Sequence, residues 1–172
     1  MDFYRTTRDV NALDQALRVA AQGTDIDGGR RWNAWSLKAE MHLRIGLAVK
    51  GPRGLASLHQ ADGDFARGIE LNGKDLMQFL MRAQVRGTLA ERDPANRERH
   101  LEGALGDIQS ALALDHRHAR CLYRLARIRN MRGERALALE AVRQALEHNP
   151  DEETRPEAEA LLRELQAKDP SR

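Results

Sequence analysis

The strongest constraint on the fold is a short residue pattern that occurs three times along the chain. In each copy a small residue is followed four positions later by a larger apolar residue, and three positions after that by another small residue. The copies are Ala61/Phe65/Gly68, Ala104/Ile108/Ala111 and Ala138/Val142/Ala145. Offsets of four and seven fall on one stripe of an α-helix. Each copy therefore predicts a helix with a narrow apolar seam, along which a neighbouring helix can approach closely.

A second pattern precedes each seam and has a large residue followed four positions later by alanine. Its copies are Trp35/Ala39, Phe79/Ala83 and Leu122/Ala126. Joining each of these helices to the seam helix that follows predicts three antiparallel helix hairpins. The last seam residues, Gly68, Ala111 and Ala145, recur at intervals of 43 and 34 residues. The sequence therefore predicts an internal repeat whose third unit is shorter than the first two.

The composition supports a chain made almost entirely of helices. Of the 172 residues, 25 are Ala and 23 are Leu, whereas Val, Ile and Thr together number 15. This usage favours α-helices over β-strands. Aromatic residues form only 4% of the chain, so packing between Ala and Leu side chains must supply most of the core. We expect an all-α fold.

The third unit, Ala119 to Pro150, resembles a tetratricopeptide repeat of about 34 residues. Gly133 stands where the turn between the two helices is expected, and Pro150 stands where the second helix must end. The matching positions are Leu122, Leu125, Ala126, Gly133, Ala138, Val142, Ala145 and Pro150. The resemblance implies an α-solenoid of helix hairpins that forms a right-handed superhelix.

The first two units depart from the tetratricopeptide pattern by about ten extra residues each. These residues could form longer loops or longer helices. The inserted segments 47–49 and 55–58 keep a helical composition, which favours longer helices. The turns would then lie at Gly51-Pro52 and Asp93-Pro94, with proline just inside the second helix.

The predicted organisation is one tetratricopeptide-like domain over residues 1–172. It comprises an N-terminal helix at 9–23, hairpins at 31–72, 74–115 and 117–149, and a capping helix at 154–168. Asp9 is expected to cap the first helix, and residues 24–30 are expected to form a loop. Thr154 and Glu157 have the spacing of a capping box, with Pro156 in the first turn. The last helix would cover the seam that the terminal repeat exposes.

No motif of the sequence predicts catalysis, a cofactor or a metal site. The segment 68–75 has the glycine and lysine spacing of a phosphate-binding loop, but Gly68 belongs to a predicted helix and Asp75 replaces the required Ser or Thr. His116 and His118 lack further ligands at metal-binding spacing. Cys121 has no partner for nucleophilic chemistry and is expected to be a small buried side chain. We therefore expect neither an enzyme nor a small-molecule substrate.

One cluster of charge is a candidate binding surface, namely Arg117, Arg120, Arg124 and Arg127, which share one face of the first helix in the third unit. In tetratricopeptide proteins the first helix of each hairpin lines a concave groove. The resemblance therefore implies a groove that includes Arg120, Arg124 and Arg127. The other predicted groove residues are Tyr123, Asn130, Asn33, Glu40 and Gln84. Two interpretations remain open at this point: a groove that binds anions, or a face whose charges are solvated or paired within the protein.

The function favoured by the sequence is a non-catalytic interaction module that binds an acidic or phosphorylated peptide or protein segment. An alternative is an accessory region of a larger signalling enzyme, because elongated repeats rich in Arg and Ala resemble the C-terminal regions of some bacterial Ser/Thr kinases. No kinase motif is present in the sequence. RNA binding is a third and weaker hypothesis, because 26 acidic residues nearly balance 28 basic ones and few aromatic residues are available for stacking.

The cellular location is expected to be the cytoplasm, in a bacterial cell. The sequence has a single cysteine, no apparent secretory start and no apolar run of the length that crosses a bilayer. No membrane partner is expected.

Overall fold

The computed structural model describes residues 10–167, with the exception of the Asp27 side chain. These residues form eight α-helices and two short 3-10 turns, and they contain no β-strand. The helices are α1 (Val10–Asp25), α2 (Trp32–Ala48), α3 (Gly51–Leu71), α4 (Leu76–Arg92), α5 (Arg97–Leu114), α6 (Ala119–Met131), α7 (Arg135–Glu147) and α8 (Thr154–Ala167). The predicted all-α fold is confirmed. Asp9, the expected first cap, and residue 168, the expected last helical residue, lie outside the described range.

The helices stack in sequence order. The closest packing is within the pairs α2 with α3, α4 with α5 and α6 with α7, while α1 packs on α2, and α8 packs on α7 and α6. Each pair is an antiparallel hairpin that contacts mainly its neighbours along the chain. This arrangement is that of an α-solenoid.

The seams predicted from the sequence form the core. The alanines Ala61, Ala104, Ala111, Ala138 and Ala145, together with Ile108 and Val142, are fully buried, and Phe65 is 2% exposed. The three alanines of the preceding helices, Ala39, Ala83 and Ala126, are at most 1% exposed. Small residues at these positions let the two helices of a hairpin pack closely.

The extra residues of the first two units lengthen their helices, as the composition predicts. The helices α2 to α5 contain 17, 21, 17 and 18 residues, whereas α6 and α7 contain 13 each. Pro52 lies in the first turn of α3. Pro94 differs from the prediction, because it begins a 3-10 turn over Pro94–Asn96 and α5 starts only at Arg97. Gly133 adopts a φ of +75° at the turn of the third hairpin, a conformation that favours glycine.

The segment at 24–30 differs from the expected loop. The helix α1 continues to Asp25. Thr24, in its last turn, is buried, and its hydroxyl donates to the Ala21 carbonyl at 2.7 Å. A 3-10 turn over Ile26–Gly29 follows. The Trp35 indole donates to the Gly29 carbonyl at 2.8 Å, which ties this turn to α2.

The capping box predicted at Thr154 is also wrong. Asp151 caps α8 instead, because its Oδ1 accepts the backbone N–H groups of Thr154 at 2.7 Å and Glu153 at 3.1 Å. Aspartate in this position satisfies N–H groups that the first turn of a helix leaves free. Thr154 is buried, and its hydroxyl oxygen accepts a hydrogen bond from Arg120 at 3.3 Å.

A buried ion network joins the first two hairpins. The Asp107 carboxylate on α5 is 3% exposed and pairs with Arg82 at 2.5 Å and Arg86 at 3.0 Å, both on α4. Arg86 also pairs with Asp62 on α3 at 2.7 Å. Charges removed from water in this way are tolerated because each has a close partner of opposite sign.

Candidate binding groove

A cavity lies between α2, α4 and α6, the first helices of the three hairpins, and the start of α8. Its volume is about 660 Å³; we call it the main cavity. It is lined by Asn33, Ser36, Leu37, Glu40, Arg44, Phe65, Asp75, Met77, Gln78, Leu80, Met81, Gln84, Arg120, Arg124, Glu153, Thr154 and Glu157. A cleft of this size and mixed polarity is typical of ligand sites.

A buried polar bridge fixes the position of α4 against α2 at the main cavity. The Ser36 hydroxyl donates to Gln78 Oε1 at 3.0 Å, and Gln78 Nε2 donates to the Asn72 carbonyl at 3.3 Å. Gln78 is only 2% exposed. The glutamine fits there because Gly68 has no side chain, and a Cβ at that position would lie 2.2 Å from Gln78 Oε1.

Arg124 is the cation of this site with the fewest partners. Its Nη2 donates to Gln84 Oε1 at 3.1 Å, whereas its Nε is buried and has no hydrogen-bond acceptor. Its ring contact is with Tyr123, 5.7 Å from the guanidinium carbon. Within residues 10–167 it forms no ion pair with a carboxylate. The site therefore presents a positive charge with unused hydrogen-bonding capacity.

The surroundings of Arg124 disfavour its charged form. Burial is the main cause that lowers its pKa, and the positive charges of Arg127 and Arg120 lower it further. Tyr123 and Glu157 offset part of this effect. A negative charge placed beside the guanidinium would offset both effects.

The other arginines of the predicted stripe are paired or lie outside it. Arg120 pairs with Asp151 at 2.8 Å and with Glu153 at 3.5 Å, and Arg127 pairs with Glu91 at 3.5 Å.

Arg117 is not on the helix, because α6 begins at Ala119; Arg117 lies exposed in the preceding turn. Much of the charge on this face is thus neutralised within the protein, and Arg124 is the exception.

The structure brings five of the eight predicted groove residues together. Asn33, Glu40, Gln84, Arg120 and Arg124 all line the main cavity. Arg127 lines a smaller cavity described below.

Tyr123 and Asn130 line neither cavity. Tyr123 is 5% exposed and lies in a core cluster formed by α6, α7 and α8. Burial and the negative charge of Glu157 raise its pKa.

A second, smaller cavity of about 200 Å³ adjoins the first. Its lining residues are Leu47, Ala83, Gln84, Gly87, Thr88, Glu91, Arg92, Arg124, Arg127, Ile128 and Met131. The two cavities share Gln84 and Arg124. The hydrogen-bonded pair of these two side chains therefore lies between the cavities and faces both.

Several lining residues are not among those predicted. Ser36, Leu37 and Arg44 share one face of α2 with the predicted Asn33 and Glu40, at helical spacings of three, four and seven. That spacing was available in the sequence.

The sequence did not indicate that Glu153, Thr154 and Glu157 would line the cavity, because their position depends on where α8 folds back against α6.

The remaining sequence motifs form no reactive site. Residues 72–75 make the turn between α3 and α4, where Asp75 caps α4 by accepting the Met77 N–H at 2.9 Å. His118 caps α6. Burial raises the pKa of the Cys121 thiol to about 12, so the thiol stays protonated at neutral pH.

Within residues 10–167 no group of three or more His, Cys, Asp or Glu side chains is arranged to hold a metal ion. Over the same residues, no helix combines the length and the apolar character needed to cross a bilayer.

The fold is similar to that of several solved structures. TTC0263, a thermophilic TPR protein from Thermus thermophilus, superposes with a TM-score of 0.71 at 20% identity, over 92% of this chain and 77% of that one. MamA gives 0.66 at 17% identity, over 98% and 95% of the two chains. The Arabidopsis OM64 TPR domain gives 0.55 at 18% identity, over 78% and 99%.

At the level of sequence, no protein-family model and no curated protein matches the chain. The stacked hairpins and these superpositions agree with the repeat pattern of the third unit. The chain therefore has the fold of the tetratricopeptide-repeat proteins.

Proposed function

We propose that this protein is a non-catalytic binding module that holds a peptide or protein segment in the main cavity. The segment carries an anionic side chain that contacts Arg124. The single observation that carries the proposal is the half-buried Arg124 side chain, which lines a cavity of about 660 Å³ and has no paired carboxylate among residues 10–167.

The chemistry of arginine explains the choice of an anion. A guanidinium offers several N–H donors in one plane and can bind a carboxylate through two parallel hydrogen bonds. In Arg124 one Nη2 hydrogen bond goes to Gln84 and Nε is enclosed by protein atoms, so the remaining Nη N–H groups are the donors that a ligand oxygen can reach. A hydrogen bond from such a charged donor to a ligand carboxylate contributes about 1.5–3 kcal/mol.

The rest of the cavity suits a polypeptide rather than a bare ion. Asn33 and Gln84 offer amide groups that can bond to a peptide backbone, while Leu37 and Met77 offer exposed apolar surface of 49% and 41%. Sites that bind peptides combine apolar contacts with a few polar groups that set orientation. The lining comes from three hairpins and α8, so a segment several residues long would touch all of them.

The proposal is tested with an array of peptides about twelve residues long, measured by fluorescence anisotropy against the full chain. Each sequence is made with aspartate, asparagine or phosphoserine at its centre. We expect binding to require an anionic centre and to weaken with added salt. In Arg124→Gln, affinity should fall about tenfold or more, since a hydrogen bond to a charged group contributes about 1.5–3 kcal/mol.

The matched control is Arg143→Gln, which removes the same charge from an exposed position on α7. It should bind as the wild type does, and circular dichroism should show that both variants are folded. Equal binding of the aspartate and asparagine peptides would contradict the proposal, as would an Arg124→Gln variant of unchanged affinity. Salt-dependent binding of a single-stranded RNA probe, in the absence of any peptide binding, would replace it with the RNA hypothesis.

A further inference from the structure

The two cavities follow the same order on all three first helices. The N-terminal part of each helix lines the main cavity and the C-terminal part lines the second cavity: Leu37 and then Leu47 on α2, Met77 and then Thr88 on α4, Arg120 and then Met131 on α6. The two cavities are thus successive parts of one path that runs along the helix axes. The shared pair of Gln84 and Arg124 stands in the middle of this path.

Exposed apolar side chains mark both ends of the path. Among the described residues, seven large hydrophobic side chains are exposed, and three of them line the two cavities. Leu37, 49% exposed, and Met77, 41% exposed, belong to the main cavity, and Leu47, 44% exposed, belongs to the second. Exposed apolar surface gathered in a concave path is a mark of a binding site. A ligand that follows the path meets apolar surface, then a cation, then apolar surface again.

We propose, on the basis of the proposed function, that the ligand is an extended segment in which one aspartate or glutamate stands between two apolar side chains, one on each side. The acidic side chain binds Arg124, one apolar side chain packs against Leu37 and Met77, and the other packs against Leu47.

Leu37 and Leu47 are ten positions apart on α2, which corresponds to about 15 Å along the helix at 1.5 Å per residue. An extended peptide covers this distance in about four or five residues. The apolar side chains are therefore about four or five positions apart.

The charges of the main cavity favour a carboxylate over a phosphate. Glu40, Asp75, Glu153 and Glu157 all line this cavity, against Arg44, Arg120 and Arg124. Arg120 is already paired with Asp151 and Glu153, and Glu40 is paired with Arg44. In this cavity Arg124 is thus the one guanidinium without a carboxylate partner, and it balances the single negative charge of a carboxylate. A phosphate carries about −1.5 to −2 at neutral pH and would meet the remaining carboxylates there without a second such cation in the main cavity.

The experiment uses a labelled peptide of about ten residues, with two leucines about five positions apart, one aspartate between them and serine elsewhere. It is compared with peptides in which either leucine is serine or in which the aspartate is phosphoserine. The protein variants are Leu37→Ser and Leu47→Ser, with Leu137→Ser as the matched control. Leu137 is 47% exposed on α7, outside both cavities.

We expect Leu37→Ser and Leu47→Ser each to weaken binding of the two-leucine peptide by about fivefold, which corresponds to burial of part of a leucine side chain. Leu137→Ser should have no effect. A peptide that lacks one leucine should lose its sensitivity to one of the two variants and keep its sensitivity to the other. Binding should also require the acidic residue, whichever direction the peptide runs along the path.

The outcomes separate this inference from the proposed function. If Arg124→Gln weakens binding but Leu47→Ser does not, the ligand occupies the main cavity alone and the two-cavity inference is overturned. If phosphoserine binds more tightly than aspartate, the preference for a carboxylate is overturned. If no peptide depends on Arg124, the proposed function itself fails, whatever the leucine variants show.

Discussion

The Arg120 guanidinium lies 2.8 Å from the Asp151 carboxylate, and this pair connects α6 to the start of α8. The same arginine pairs with Glu153 at 3.5 Å and donates to the Thr154 hydroxyl. The carboxylates of Asp151 and Glu153 thus pair with an arginine that lines the main cavity. An incoming anion that approaches Arg120 competes with these internal carboxylates.

Removing the internal competitors should strengthen anion binding. In Asp151→Asn combined with Glu153→Gln, Arg120 loses both carboxylate partners, so affinity for the aspartate peptide should rise about two- to fivefold, within the range of a partly exposed ion pair. Asparagine can still cap α8. Glu152→Gln, an exposed neighbour, is the control. Fluorescence anisotropy measures the change, and an unchanged or lower affinity in the double variant would show that Arg120 takes no part in binding.

The buried Asp107 network should contribute much more to stability than an exposed ion pair. Asp107→Asn leaves Arg82 and Arg86 without a full negative charge between them, and we expect a loss of about 3 kcal/mol in the free energy of unfolding.

Asp14→Asn is the matched comparison, because Asp14 pairs with Arg53 at 2.6 Å while the two side chains are 34% and 56% exposed. Asp14→Asn should lower the free energy of unfolding by less than about 1 kcal/mol. Urea denaturation gives both values, and equal losses would mean that Asp107 is no more important than a surface charge.

The helix α8 should stabilise the third hairpin through its apolar face. Leu165 is 1% exposed and packs in one cluster with Leu122, Val142 and Ala145. Leu165→Ala should lower the free energy of unfolding by about 2–5 kcal/mol. Arg163→Ala, on the exposed face of the same helix, should change it by less than about 0.5 kcal/mol. A Leu165→Ala variant that melts like the wild type would indicate that α8 does not cap the solenoid.

The stability should fall on acidification through His42. Burial lowers the pKa of His42 below its ordinary value of 6.5; Lys38 adds to the effect, and Asp64 opposes it. The unfolded chain therefore binds this proton at a higher pH than the folded protein does. The contribution is fully present above pH 6.5 and is lost as the pH falls from 6.5 to the pKa of the folded state.

The measurement is the free energy of unfolding between pH 5 and 7, an interval of about two units that covers the titration of an ordinary histidine. His42→Gln should flatten the slope, and His148→Gln, at an exposed position, should leave it unchanged. A slope that is the same in wild type and His42→Gln would assign the pH dependence to other groups.

The sequence was sufficient for the core and for the longer helices of the first two hairpins, but not for the side of α6 that faces the cavity. The seams at Ala61, Ala104 and Ala138 were readable because small residues at helical spacing have few other uses. Tyr123 lies about 60° around the helix from Arg120, at 100° per residue. Local spacing does not determine that α8 packs on that side and buries the ring.

The cap of α8 shows the same limit at shorter range. Thr154 and Glu157 have the residue types and the spacing of a capping box, yet the side chain that caps the helix is Asp151, three residues before Thr154 in the chain. Thr154 is buried, and its hydroxyl accepts a hydrogen bond from Arg120 on α6, 34 residues away along the chain. Local residue types and spacing do not reveal a contact of this range.

The stacking of the hairpins gives a bound segment a mechanical role. Each hairpin mainly contacts its neighbours, so unfolding of the third hairpin can begin with little effect on the first. The main cavity is lined by residues from all three hairpins and from α8. A segment seated there would connect units that are otherwise far apart along the solenoid, and would convert stepwise fraying from either end into a more cooperative transition.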